Sequence, residues 1–308
     1  MILCCGEALI DMLPRVTAGG EAAFLPCPGG AAFNTAIALG RLGVPTGLFS
    51  GLSSDFMGGI LRDALSRANV DGTHAACSAL PTTLAFAQLV EGQARYTFYD
   101  ENTAGRMLTE SDLPATQEAT ALLFGGISLI AEPCGSVYEA LMARDAPQRV
   151  MFLDPNIRAN FIADRETYLA RLQRMMALAD IVKLSDEDLA WFGESGSDEE
   201  IAGRWLARGP SLMVITRGAA GADAYSAAAR VHIPGVKVPV VDTVGAGDTV
   251  NAGILASLHA QGLLTKAAIA GLNEEQMRAA LALGVGAAAI TVSRAGANPP
   301  WADEVVAW

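Results

Sequence analysis

The chain has 308 residues, 51% of them hydrophobic and 18% charged, so it can bury a large core and is not a disordered segment. Its formal net charge is −12 and its only lysines are Lys183, Lys237 and Lys266, a balance that argues against nucleic acid or an anionic membrane as partner; any phosphate site is expected to rest on backbone N–H groups, metal ions and a few arginines. No charge-free apolar run reaches the roughly 18 residues of a membrane span, and the five cysteines, odd in number and without a C-x-x-C pair, read as buried reduced thiols.

The chain opens on an apolar run at 2–5, read as a buried strand. It carries no basic stretch and no long apolar segment, so no signal peptide is expected and a cytoplasmic location is. Asp11 follows in Gly6-Glu7-Ala8-Leu9-Ile10-Asp11. A carboxylate there can accept two hydroxyls of a polyol at once, or simply sit in a solvated turn. Residues 12–28 hold Pro14, Gly19, Gly20, Pro26 and Pro28 and are non-helical. Gly29-Gly30-Ala31-Ala32-Phe33-Asn34 then runs into an amphipathic helix at 31–42. The two glycines allow close approach of backbone to a ligand, and Asn34 can donate and accept; the plainer reading is a tight turn into a helix.

A strand at 46–50 and a helix at 56–68 come next. Segments 84–90 and 94–99 flank Glu91-Gly92-Gln93 and read as a hairpin. Tyr96, Phe98 and Tyr99 on it can stack on an apolar face of a ligand or serve only hairpin packing. Strands at 121–124, 150–153, 181–184 and 212–216 alternate with helices such as 136–144 and 168–178. Such alternation predicts βαβ units, a mostly parallel sheet covered on both faces, and ligands at the carboxyl ends of its strands. Asp154, Ser185 and Thr216 all follow strand ends. Arg158, in Asp154-Pro155-Asn156-Ile157-Arg158, carries a fork suited to phosphate or carboxylate, or to a structural ion pair. Ser185 and Asp188 have the spacing of a capping box for a helix at 186–192. Thr216-Arg217-Gly218-Ala219-Ala220-Gly221 reads as a turn.

The most informative run is Asp242-Thr243-Val244-Gly245-Ala246-Gly247-Asp248, which opens a helix at 246–261 that ends at Gly262. Glycines and a helix N-terminus together make an anion seat. A carboxylate beside such a seat is a poor binder of phosphate. It makes sense as the acceptor of a proton from a hydroxyl that attacks phosphorus; the bland alternative is an N-cap. A helix at 274–290 closes the pattern. There is no G-x-x-x-x-G-K-[ST] run, and no G-x-G-x-x-G follows the first strand, so neither a P-loop nor a nicotinamide dinucleotide fold is indicated.

Gly29 to Ala36 reads G-G-x-x-x-N-x-A, and Asp242 to Gly253 reads D-T-x-G-A-G-D-x-x-x-A-G. In this order and at this separation they resemble the two signatures of the ribokinase-like (PfkB) carbohydrate kinases. The resemblance runs from Gly6 to Ala297 and is nearest to bacterial fructokinases around 33–43 and 154–158. It implies one α/β kinase domain over 1–308, a ribokinase-like three-layer α/β/α fold with a small β lid from about 12–28 and 84–99. The implied activity is ATP-dependent phosphorylation of a sugar, with Asp248 as base and the Gly245, Ala246 and Gly247 backbone as anion hole. Asp11, Gly29, Gly30, Asn34, Phe98 and Arg158 are implied on the sugar, and Ser185, Thr216, Gly218, Gly221, Gly245 and Gly247 on the nucleotide.

Many members carry N-x-x-E where this chain has Ser185 and Asp188, so Asp188 is expected to reach Mg²⁺ only through water. Asp242, Val244, Thr291, Arg294, Gly296 and Pro300 align with a monovalent-cation (K⁺) site built mostly of backbone carbonyls. A homodimer through the lid is also implied. Fructose is the expected acceptor, yielding fructose 6-phosphate, and 2-keto-3-deoxygluconate the rival. Tyr99-Asp100-Glu101-Asn102 ends the lid strand, and its two carboxylates are expected to repel an acid unless they point away, with Arg95, Arg106 and Arg158 as possible partners for its carboxylate. An idle sugar or nucleotide sensor on the same fold is the reading from another class; the intact Gly245–Asp248 run speaks against it.

Overall fold

The computed structural model describes residues 1–90 and 93–306. The chain begins with β1 (Ile2–Cys5), β2 (Leu9–Val16), β3 (Ala22–Gly29), α1 (Ala31–Arg41), β4 (Thr46–Phe49) and β5 (Gly51–Ser53). There follow α2 (Phe56–Arg67), β6 (Val70–Asp71), β7 (Ala76–Ser78), β8 (Leu84–Val90), β9 (Gln93–Tyr99) and β10 (Ala121–Gly125). Next come α3 (Cys134–Asp145), β11 (Val150–Asp154), α4 (Arg165–Leu178), β12 (Ile181–Ser185), α5 (Asp186–Phe192) and α6 (Asp198–Leu206). The last elements are β13 (Leu212–Thr216), β14 (Ala222–Tyr225), β15 (Arg230–Ile233), α7 (Ala246–Ala260), α8 (Lys266–Ala270), α9 (Glu274–Val292) and α10 (Ala302–Val306).

A nine-stranded sheet in the order β15-β14-β13-β12-β11-β10-β1-β4-β6 forms the middle layer. Its central strands β1, β10 and β11 are almost continuously apolar because helices cover both faces. Ile2 and Cys4 of β1 join one core with α1, α2, α7, α8 and α9; Leu3 and Cys5 join the other with α3, α4, α5 and α6. The expected α/β/α layering is the one observed. From β1 the chain winds first to β4 and β6, then returns to the other side at β10 and continues to β13. The order reverses beside β1, and a crevice opens at the carboxyl ends there. Helices α7 and α9 pack at glycine–glycine contact: a Cβ on Gly253 would lie 2.5 Å from the Cα of Gly284. This close packing seats the N-terminus of α7 over that crevice.

The expected parallel pattern stops at β13. The turn at 217–221 is a hairpin, with Thr216 paired to Ala222, so β14 and β15 extend the sheet antiparallel. Positive φ at Gly218 and Gly221 lets the chain reverse where a crossover helix would otherwise be needed. The two non-helical inserts form a separate four-stranded sheet, β3-β2-β8-β9. Strands β8 and β9 pair antiparallel as expected, while Glu91 and Gly92 of their connection lie outside the described residues. Pairing puts Cys27, Asp11, Ala85 and Phe98 in one row across this sheet. Cys4, Cys5 and Cys134 are buried, as expected of the thiols. Cys27 is half-buried and Cys77 exposed, because they lie on the small sheet and on the short strand β7, which have no second covering layer. Among the described residues no helix is long and apolar enough to cross a membrane.

Candidate active site

Helices α1 and α7 converge at the crevice. Gly30, the residue before α1, has φ +108, and a Cβ there would lie 2.5 Å from the Glu7 carbonyl oxygen. Only glycine fits that backbone. One turn into α1, Asn34 Nδ2 donates to Asp248 Oδ2 at 2.9 Å, and Thr35 Oγ1 donates to the Asp248 carbonyl at 3.3 Å. Gly245 precedes α7 in a left-handed conformation with φ +78. Asp248 is the third residue of that helix and makes no capping hydrogen bond to its backbone. The N-cap alternative for Asp248 therefore falls away: its carboxylate turns outward to Asn34.

Asp248 is 7% exposed, and burial pushes its carboxyl up to about 7. The Asn34 hydrogen bond and the nearby Lys183 charge pull the other way, while Asp154 and Glu7 add to the rise. Asp11 is pushed up to about 6, again mainly by burial and secondarily by Glu7. A buried carboxyl that titrates near neutrality and lies in a cleft is suited to accept a proton.

A cavity of about 370 Å³ joins these groups. Asp11, Gly30, Asn34, Phe98, Arg158, Val244, Gly245, Gly247 and Asp248 all line it, so the two glycine motifs and the small sheet meet in one place. Gly29 lies behind the wall, where a Cβ would be 2.2 Å from Asp11 Oδ2. Phe98 packs edge-on against Phe161, ring centres 4.5 Å apart. Arg158 is exposed and donates to the carbonyls of Asn156 and Ile157; among the described residues it makes no salt bridge. Its ion-pair alternative is not what the structure shows. A Cβ on Gly247 would meet only Lys183 Nζ, at 3.1 Å, among non-neighbouring atoms within 4 Å.

Thr216, Gly218 and Gly221 lie apart from this cavity, at the end of β13 and in the hairpin after it. Thr216 pairs with Ser185 across adjacent strand ends, on the same edge of the sheet as Asp154. Ser185 and Asp188 form the expected capping box of α5. Asp188 is 3% exposed; its Oδ2 accepts from the Ser185 N–H and hydroxyl, and its Oδ1 from the Ile157 N–H at 2.8 Å. It thereby ties α5 to the turn that carries Arg158. In the aligned cation segment, Asp242 accepts from the N–H groups of Val244 and Gly296, joining the loop before α7 to the one after α9. Thr291 bonds to Thr249, and Arg294 pairs with Glu304.

For Asp100 the structure shows the case that the sequence left open, a carboxylate set away from the cavity at Asp248. Asp100 pairs with Arg106 at 3.2 Å, which offsets its charge and occupies that arginine. Both line a neighbouring cavity of about 410 Å³ and not the one at Asp248.

Sequence reasoning passed over three groups. Glu7 accepts from the Ala31 and Ser128 N–H groups and lines both cavities, bracing the start of α1. Asn156 holds the turn after β11 with φ +45. Lys183 brings its ammonium to 3.1 Å from where a Gly247 Cβ would stand, beside the loop for which the sequence offered only backbone N–H groups, metal ions and arginines. The signal for it was a lone lysine within the apolar strand Ile181-Val182-Lys183-Leu184.

Comparison with known proteins agrees with this geometry. The chain is 57% identical over 279 residues to a fructokinase of Rhizobium leguminosarum bv. trifolii, covering 90% of this chain and 86% of the relative. A fructokinase of Xylella fastidiosa solved with bound ATP superposes with TM-score 0.90 at 29% identity, over 99% of this chain and 97% of the other. A Vibrio cholerae O395 fructokinase in its fructose, ADP and calcium ion bound form gives TM-score 0.83 at 27% identity, over 96% and 94% of the two chains. The family model described as pfkB family carbohydrate kinase matches residues 1–304, and with both glycine motifs converging on Asp248 the chain belongs to that family.

Proposed function

We propose that this protein is an ATP-dependent fructokinase. The observation that carries the reading is the single cavity in which Asp248, Asn34 and Asp11 meet the Gly245–Gly247 backbone, in a chain 57% identical to a fructokinase. Asp11, Gly30, Asn34 and Arg158 hold the sugar, with Phe98 closing over its apolar face. The 6-hydroxyl oxygen attacks the γ-phosphorus in line, its proton passes to Asp248, and the bond to the bridging oxygen breaks to release ADP. The N–H groups of the loop stabilise charge on the transferring group. The nucleotide reaches back over Thr216, Gly218, Gly221 and Ser185 at the adjoining strand ends.

Magnesium enters as the partner of ATP. Both Asp188 oxygens are engaged by protein donors, and the described residues contain no group of three carboxylates, histidines or cysteines that could hold a metal. The fit is to an ion held by phosphates and water, with Asp188 at most behind a water. A monovalent ion such as K⁺ would take carbonyls at 242, 244, 291 and 296.

The acceptor is a neutral ketohexose. Of the three arginines that could anchor a carboxylate, Arg158 lines this cavity and Arg106 is committed to Asp100. Fructose is expected to exceed 2-keto-3-deoxygluconate in kcat/KM at saturating MgATP, in assays run with potassium and with tetramethylammonium. A tenfold preference for the acid, about 1.4 kcal/mol of transition-state binding, would make Arg158 a carboxylate anchor and overturn this choice. No phosphorylation of any sugar would favour the sensor reading. Equal rates in the two salts would remove the K⁺ site.

The small sheet is a lid. Its inner row carries Asp11 and Phe98; its outer side carries Phe24, Phe86 and Tyr99 in edge-to-face contact, with Phe24 48% and Tyr99 61% exposed. An exposed aromatic cluster of this kind fits a second copy of the lid. Hydrogen exchange in residues 9–29 and 84–90 is expected to slow when fructose is added, and to slow further as protein concentration rises. Protection confined to the core helices ends the lid reading; concentration independence ends the dimer.

A further inference from the structure

We propose that Lys183 is a positioning residue for phosphoryl transfer: its ammonium, fixed by Asp154 under Gly247, sets positive charge directly behind the 245–247 backbone. The inference rests on the kinase reading above and deepens it.

Lys183 lies in the middle of β12, between Val182 and Leu184 on the opposite face, and is 3% exposed. Burying an ammonium costs several kcal/mol unless it is paired, and an apolar side chain of similar length would serve the core at least as well. Fold stability therefore does not account for a lysine there. Three elements fix its position. Asp154, ending β11, accepts from Lys183 Nζ at 2.9 Å, and the same Oδ2 accepts from Asn251 Nδ2 at 2.7 Å. Asn251 sits one turn beyond Asp248 on α7. Among the described residues the ammonium donates this one hydrogen bond, leaving two N–H groups, while Asp154 Oδ1 and Asn251 Oδ1 are buried without partners. The pair is thus held but not saturated.

The missing side chain of Gly247 completes the arrangement. Nζ lies 3.1 Å from where that Cβ would be, so no side chain screens the ammonium from the loop. In a buried site of low dielectric, a fixed charge at this range acts strongly on a phosphoryl group docked on the other side. It also favours the ionised Asp248, opposing the effect of Asp154 on the same carboxyl. Lysine and aspartate therefore act on the base with opposite signs, which separates this role from simple pairing.

The test compares the wild type with Lys183→Met, Asp154→Asn and the double variant, using fructose and MgATP from pH 5.5 to 9, with thermal unfolding alongside. Lys183→Met is expected to lower kcat on the order of a hundredfold, the scale of losing one transition-state contact, with the fructose KM within about threefold. Its acidic limb moves to higher pH, and that of Asp154→Asn to lower pH. The double variant has no unpaired buried charge and should fold even if the single lysine variant does not; its kcat stays low. Turnover of Lys183→Met within threefold of wild type overturns the proposal. Recovery in the double variant also overturns it, since the lysine would then only balance Asp154. An inactive wild type overturns the kinase reading and this inference together, whereas an active wild type with an equally active Lys183→Met overturns the inference alone.

Discussion

Asp248→Asn is expected to lower kcat by at least about a hundredfold, the lower end of what a general base contributes and about 2.7 kcal/mol of transition-state stabilisation. The fold should survive, because the amide matches the carboxylate in size and can still accept from Asn34, which now bonds Oδ2 at 2.9 Å. Fructose KM should change little, and ATP should bind as well or slightly better once a like charge leaves the phosphate seat. The pH profile gives the stricter test. Burial holds the Asp248 carboxyl at about 7, well above an ordinary aspartate, so the wild-type base is protonated and idle in acid. The wild-type kcat/KM should rise with pH through about 7 and flatten above it. In Asp248→Asn the residual rate should lose that limb. A variant with near wild-type turnover, or one that keeps the limb, would take the base role away from Asp248.

What was readable in the sequence follows from how local each signal is. Gly30 to Asn34 and Gly245 to Asp248 announce themselves because a glycine turn opening a helix is defined by neighbours in the chain, and the structure brings both runs to one cavity. The capping box of Ser185 and Asp188 is local in the same way. Strands that bury both faces read as unbroken apolar runs, so the parallel core was legible too. Lys183 was not, since a lysine in an apolar strand reads as ambiguous until its neighbours across the sheet are known; Asp154 is 29 residues away in the chain. The strand order of the small sheet was hidden for the same reason: β2 pairs with β8 in parallel across more than one intervening helix, a contact no local pattern specifies. The partner of Asp100 was not legible, because charge counting along a strand cannot see Arg106 folding back onto it.

Gly247→Val is expected to abolish turnover while leaving the fold intact, and the contrast with Gly245→Val shows why. Gly245 needs its glycine for the protein itself: its φ is +78, and a Cβ would press to 2.8 Å from the Ala297 side chain. A valine there should cost both stability and activity. Gly247 sits inside α7 with an ordinary helical backbone, where valine carries a propensity penalty of only a fraction of a kcal/mol, at most ~0.7. Its Cβ would meet the flexible end of Lys183 at 3.1 Å and no backbone atom beyond its own helix within 4 Å. The fold thus tolerates a side chain at 247, and the need for glycine there comes from the ligand: branched methyls would fill the space in which phosphate oxygens approach the N–H groups. Thermal unfolding of Gly247→Val should stay within a few degrees of wild type while turnover with fructose and MgATP falls at least about a thousandfold, a little over 4 kcal/mol. Unchanged turnover would place the transferring phosphate away from this loop. A large drop in unfolding temperature would instead show that Gly247 serves packing, as Gly245 does.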